Sequence, residues 1–320
     1  MKIGIVSLGG KSSRRLANSC KNYFQKVDEL DIRKFKVNLN SNNIGINYNG
    51  SELKDYDCLF LRGSFRYAML QRAITTVLRN DVYIPFEPKT FTLAHDKFLT
   101  LVELQKNKIP IPKTYFAANK KLAKKILKKE VRYPVIIKVQ EGTHGKGVMV
   151  AESLKSAKTI LDMLDEFKKP YIIQEFVKTK GTSDIRVIIS GKKVAASYRR
   201  VADEEEIRTN IHAGGKREKH ELSKKEKKLA LRAARAVGAE TCGVDVFHSK
   251  TPAVIEVNLS PSLYPIEDIT GIDVIDKIAK FLYKRTKKFK KKKKEKFNKK
   301  IKKLKKKNNK KSKKKKEEKE

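Results

Sequence analysis

The stretch VIIKVQEGTHGKGV, residues 135–148, passes from a β-branched strand signal into a loop bearing Gly142, Gly145 and Gly147. Glycines lack Cβ, so the backbone N–H groups of such a loop can close around phosphate oxygens, and Lys138 near the strand's end adds a point charge. The loop is neither a GxxxxGK[ST] P-loop nor a GxGxxG fingerprint. By itself it reads equally well as a hairpin turn.

Outward from that loop the pattern stays α+β. Upstream, HDKFLTLVELQKNKIPIP (residues 95–112) predicts a surface helix whose Phe98, Leu101, Val102 and Leu104 share a face, ended by Pro110 and Pro112. Downstream, a helix is expected over about residues 155–167 and a strand over PYIIQEFV, residues 170–177. DIRVIISG, KVAASYRR, CGVDVFH and PAVIEVN give four further strands, with the charged helix LSKKEKKLALRAARAVG among them. At the start, KIGIVSL, the glycine pair Gly9–Gly10 and the strand-like DYDCLFLRG open an α/β unit. The expected organisation is a small α/β domain over 1–90, one lobe over 91–180 with the glycine loop, a second over 181–283, and a disordered lysine-rich tail over 284–320.

The formal charge of +40 is uneven. Residues 284–320 hold 24 Lys or Arg against 4 Glu, leaving 52 basic and 32 acidic residues for the rest. Apart from Phe289, Phe297, Ile301 and Leu304 the tail is polar, which predicts too little apolar surface to offset its ordering entropy. Cys20, Cys58 and Cys242 fit neither a disulfide framework nor a CxxC metal site, as expected of a reducing cytoplasm. No apolar run approaches the roughly 18 residues of a membrane span, and the N-terminus lacks a signal peptide's apolar region.

The sharper chemical signal is Glu256 and Asn258, two apart on PAVIEVN and so on one face of a strand. A hairpin centred between Lys250 and Thr251 would set Asp245 opposite Glu256. Two carboxylates and an amide oxygen, without His or Cys, suit a hard cation such as Mg²⁺ or Mn²⁺. A solvated strand face with a salt-bridged Asp is the competing reading. Arg186, Arg199, Arg200 and Arg208, with Asn210 and His212, form a donor set for anionic oxygens. His212 is a candidate general base, although a lone His is more often structural.

Taken in order, HDKFLTLVEL…IPIPKT, VIIKVQEGTHGKGV, IIQEFV, SDIRVIISG, IRTNIHAGG, GVDVF and VIEVNLSP resemble the ATP-grasp ligases, and among them the RimK-type α-L-glutamate ligases. The resemblance implies an ATP-grasp fold, two α+β lobes gripping ATP behind a small α/β pre-ATP-grasp domain. It implies Lys97 and Lys138 on the nucleotide phosphates under a flap carrying Gly142, Gly145 and Gly147, with Glu175 and Phe176 at adenine and ribose. Asp184, Arg208, Thr209 and Asn210 would contact the nucleotide, and Asp245, Glu256 and Asn258 would hold two Mg²⁺ (or Mn²⁺). Arg200 would face the transferred phosphoryl group, with Arg186 as its catalytic companion. Ala213 departs from the basic or amide residue many relatives carry there, and the RGSFRYAML segment is divergent, so the acceptor is not legible.

The implied reaction is ATP-dependent amide formation through an acyl phosphate, adding L-glutamate or a similar amino acid to an anionic acceptor, either a protein C-terminus or a glutamylated cofactor. A carrier-protein ligase of lysine or arginine biosynthesis shares that resemblance. From another class comes an RNA- or ribosome-associated binder anchored weakly by the basic tail. Homo-oligomerisation is left open.

Overall fold

The computed structural model describes residues 1–139, 147–166, 170–179, 182–202 and 216–317, with side chains through Lys302. The chain opens with a parallel sheet in which Lys2–Ser7 lies between Lys26–Asp31 and Cys58–Leu61. Ile3, Ile5, Val6 and Leu59 to Leu61 are all buried, the continuous apolar run of a strand covered on both faces. A small antiparallel sheet of Phe35–Leu39, Ile44–Tyr48 and Ser51–Glu52 flanks it.

The central lobe is an antiparallel sheet in the order Thr114–Ala117, Tyr171–Glu175, Val135–Val139, Val148–Ala151. The helices Lys120–Lys129 and Leu154–Asp165 accompany it, capped by Asn119 and by a Ser153–Ser156 capping box. Ala123, Leu127, Leu161, Tyr171 and Ile173 belong to a core of this lobe's own.

The second lobe is a five-stranded antiparallel sheet: Lys216–Lys219, Lys193–Val201, Ser183–Ser190, Thr241–Phe247, Val254–Asn258. The helix Lys224–Val237 packs on it, started by a Ser223–Glu226 capping box and stopped by Gly238 at φ 80°. That glycine is required twice over, by its left-handed backbone and because a Cβ there would lie 2.9 Å from Thr90 Oγ1.

This second lobe shares one continuous core with the opening α/β unit, since Ile3 and Phe60 join Val187, Val244 and Leu282 in a single buried cluster. The helices Pro88–His95 and Lys97–Lys106 also lean on that core through Phe91 and Leu104, so by packing the central lobe begins near Lys113 rather than at residue 91. On Lys97–Lys106 the buried residues are Thr100, Leu101 and Leu104, whereas Val102 is exposed. Phe98 turns to stack on Phe116 of the central lobe, with centroids 4.2 Å apart. The helix therefore serves two neighbours, which a single apolar stripe does not describe.

The tail differs from the expectation of disorder. The helix Val274–Glu317 runs through Tyr283 without a break, and the segment just beyond is anchored. Thr286 is buried and donates to the Leu282 carbonyl at 2.7 Å, Phe289 packs beside Tyr83, and Arg285 pairs with Glu240. Lys290 and Lys293 pair with Asp57 and Asp81 of the opening unit. Lysine is a good helix former, so a helix already held by its first turns continues on propensity, against the repulsion of like charges four residues apart. Truncation after Tyr283 should accordingly lower the thermal midpoint by about 5 °C or more, whereas truncation after Lys293 should leave it within about 2 °C. Equal midpoints for the two truncations would show that these contacts contribute nothing.

Candidate functional site

The open side of the central sheet faces the five-stranded sheet across a cleft of about 1460 Å³. Lys97, Lys138, Glu175, Phe176, Asp184, Arg186, Arg200, Asp245, Glu256 and Asn258, drawn from both sides, line it together. Gly147 closes the base of the hairpin instead: its carbonyl accepts from Val139 N–H at 3.0 Å, and at φ 77° a Cβ would strike Val139. Gly142, Gly145, Arg208, Thr209, Asn210, His212 and Ala213 lie outside the described residues.

On the central-lobe wall, Lys138 Nζ donates to Gln174 Oε1 at 2.6 Å, and Gln174 Nε2 donates to Thr114 Oγ1 at 2.9 Å. Burial holds the Lys138 ammonium down to about 8, with Lys97 pushing the same way and Glu256 opposing. Lys97 opens its helix, whose N-cap Asp96 accepts from the N–H groups of Phe98 and Leu99. If Lys138 meets a phosphate, kcat/KM for Mg·ATP should fall as pH rises through about 8, because the free enzyme loses that charge. Lys138→Arg should flatten the alkaline limb. A wild-type profile flat from about pH 7 to about pH 9.5 would rule Lys138 out as that charge.

On the facing wall the hairpin register sets Asp245 opposite Glu256, and a bulge then shifts the pairing so that Val246 meets Val254. Asp245 is 2% exposed and bound by both Arg186 and Arg200, the latter at 2.7 Å, while Arg200 Nε also reaches Asp184 at 2.6 Å. Burial alone would push the Asp245 carboxyl up, but the two guanidinium groups hold it at about 2. Glu256 is the open member: its side chain is 44% exposed, and Arg186 approaches no closer than 3.7 Å. Burial of its carboxyl and the Asp245 charge push its pKa up.

These donors fit a hard cation. Glu256 offers a carboxylate crowded by a second one, and Asn258 Oδ1 keeps a lone pair after accepting from Ser260 N–H at 2.9 Å. Asp245 offers less than expected, because Arg186 and Arg200 already occupy most of its acceptor sites.

Sequence reasoning missed a third wall. Arg62, Ser12 and Tyr264 also line the cleft; the divergent RGSFRYAML segment begins at Arg62, but none of the three was named as a site residue. A further cue was an arginine directly after the buried strand Cys58–Leu61. Cys20, Cys58 and Cys242 are buried and free, and burial pushes the Cys20 thiol up to about 12, so none is poised as a nucleophile.

Residues 94–282 match the RimK-like ATP-grasp domain model, more than half of the chain. The chain belongs to the RimK-like ATP-grasp family. Among its relatives are the probable alpha-L-glutamate ligases of Nitrosococcus oceani, 36% identical over 289 residues, and Cellvibrio japonicus, 34% identical over 286 residues. Each comparison covers 88% of this chain and 95% of the relative. Solved structures agree on the fold. The RimK domain ATP-grasp protein of Sphaerobacter thermophilus superposes with a TM-score of 0.68 at 18% identity, covering 88% of this chain and 99% of that one. The ATP-grasp ligase PsnB, complexed with a phosphomimetic variant of its minimal precursor, Mg and ADP, gives 0.68 at 17%, covering 89% and 98%. This RimK-like protein is thus a ligase, and use of ATP with a metal is general to its family. Among the described residues no helix is long and apolar enough to cross a membrane.

Proposed function

We propose that this ligase joins L-glutamate, or a closely similar amino acid, to a carboxylate acceptor by an amide bond. The observation that supports it best is the cleft itself, with the cations Lys97 and Lys138 on one wall and the Glu256–Asn258 oxygens beside Arg186 and Arg200 on the other. Such a wall pair suits a reaction in which an acceptor carboxylate takes the γ-phosphoryl group of ATP and an amine then displaces phosphate from the acyl phosphate. Lys97 and Lys138 would bind the phosphates, Glu175 and Phe176 the adenosine, and Asp184 would orient Arg200 toward the phosphoryl group. Two Mg²⁺ ions held by Glu256, Asn258 and the remaining acceptor site of Asp245 would neutralise the charge that develops on the transferred group. No protein nucleophile is needed, and a closed cleft would shield the acyl phosphate from water.

The acceptor is read as a protein C-terminus or a glutamyl cofactor, and a peptide is favoured because PsnB, which shares this fold, is complexed with a precursor peptide. Buried free thiols suit a cytoplasmic setting. The test is Mg²⁺-dependent ADP release by the full chain with L-glutamate and a panel of glutamyl-ended peptides and cofactors. Release that needs both substrates and disappears in Lys138→Ala supports the reading; ATP binding without turnover on any acceptor would overturn it. Removal of residues 294–320 should leave the rate unchanged and lower only affinity for RNA, whereas a rate tied to the tail would favour a binding role.

A further inference from the structure

Arg62 follows the strand Cys58–Leu61 at the point where the chain leaves the parallel sheet, its N–H donating to the Val6 carbonyl at 2.8 Å. The residue is 7% exposed, yet it lines the cleft. Nη2 donates to the Pro261 carbonyl at 2.8 Å, and no carboxylate among the described residues meets the guanidinium. A buried cation without a counter-ion is costly, and burial alone pulls this guanidinium down to about 10.

The neighbouring surface has the same sign. The helix Lys11–Cys20 begins at Gly10 with no side-chain cap and no acidic residue in its first turn, and Gly10 and Lys11 open into the same cleft. A Cβ on Gly10 would meet nothing within 4 Å, so that approach is clear. The loop after Asn258 is pinned to this wall: Gly63 N–H donates to Ser260 Oγ at 3.1 Å and Leu263 N–H to Ser12 Oγ at 3.0 Å. Arg62 thereby sits against the segment that leads away from the metal-type oxygens.

We propose that Arg62, with the open first turn of Lys11–Cys20 beside it, forms a carboxylate subsite that takes the α-carboxylate of the incoming amino acid. The assignment rests on the ligase reading above. The reacting carboxylate has its own partners in Arg186, Arg200 and the Glu256 region, so Arg62 serves a carboxylate that does not react. An α-carboxylate is one carbon from its amine and must be fixed close to the reacting centre. A deeply buried, rigid guanidinium suits such a small ligand, whereas a polymeric acceptor needs an open path. The uncompensated charge is what an amino acid would neutralise on binding.

The experiment is an equilibrium titration of L-glutamate, and separately of its α-amide, into the full chain loaded with Mg·AMPPNP. Wild type should bind glutamate about 30-fold or more tighter than the α-amide, the discrimination expected of a charge-assisted pair. Arg62→Met should weaken glutamate by about the same factor and leave the α-amide unchanged, with Arg62→Lys recovering part of the preference. AMPPNP affinity should be the same in all three, which a merely structural role for Arg62 would not leave intact. Equal glutamate binding by wild type and Arg62→Met, or no preference for the carboxylate in wild type, overturns the subsite. If Arg62→Met does not fold, Arg62→Lys and the wild-type comparison of acid with amide decide it. The titration does not depend on turnover: wild-type protein that releases no ADP on any acceptor removes the ligase reading, whereas turnover with an Arg62-independent glutamate affinity removes the subsite alone.

Discussion

Glu256→Ala should lower the Mg²⁺-dependent rate of ADP release by about 10³-fold or more while the thermal midpoint stays within about 2 °C. The asymmetry follows from what Glu256 touches. Its side chain is 44% exposed to the cleft and its nearest cation among the described residues is 3.7 Å away, so the fold loses almost nothing with it. Removing one of two crowded carboxylates also relieves the repulsion that pushes its pKa up. The loss therefore falls on cation binding, and the Mg²⁺ concentration for half-maximal rate should rise together with the fall in rate. A variant with wild-type turnover at the same Mg²⁺ concentration would show that Glu256 holds no metal.

Asp245→Asn should behave in the opposite way, with activity and stability lost together. Arg186 and Arg200, 8% exposed each, converge on that one buried carboxylate. An amide leaves Arg200 with Asp184 alone and Arg186 with only the 3.7 Å approach to Glu256, a defect of about 3 kcal/mol in unfolding free energy. The pH dependence has a definite sign. Asp245 sits at about 2 in the folded chain against an ordinary 3.8, so its contribution is present above about pH 4 and is lost as pH falls toward 2. The acid limb of wild-type stability should be shallower in Asp245→Asn. Denaturant midpoints across that range measure it, and unchanged stability at neutral pH would contradict the network.

These two variants also mark how much was legible in the sequence. The Asp245–Glu256 pairing followed from the two-residue period of strands and the position of a turn, both local, and the observed register agrees. The bulge at Val246 did not follow, because nothing in that segment marks an inserted residue. The helix Lys224–Val237 was legible from its periodicity, while the strand Lys216–Lys219, polar throughout, carries no pattern and exists by pairing with Arg199 and its neighbours. A salt-bridged Asp245 was the competing reading of that strand, but its two partners were hidden: Arg186 and Arg200 stand on two other strands, and only the assembled sheet brings them to one carboxylate. Arg62 was hidden by its surroundings, since an arginine after an apolar strand is indistinguishable from a solvated strand end until the loop at Pro261 covers it. The tail was misread because composition was weighed without the helix that leads into it. Tyr283, Thr286 and Phe289 continue the anchoring side of Val274–Glu317 into the lysine-rich segment.

That last helix bears on how the protein is made. Its Ile278 and Leu282 share a core with Ile3 and Ile5, near the other end of the chain, and its lysines meet Asp57 and Asp81. The strands Lys2–Ser7 and Cys58–Leu61 thus wait for the helix Val274–Glu317, made much later, before their burial is complete, at synthesis rates of about 5–20 residues per second. The central lobe, with its own core between Tyr115 and Ile173, is the part of this chain able to finish folding while translation continues.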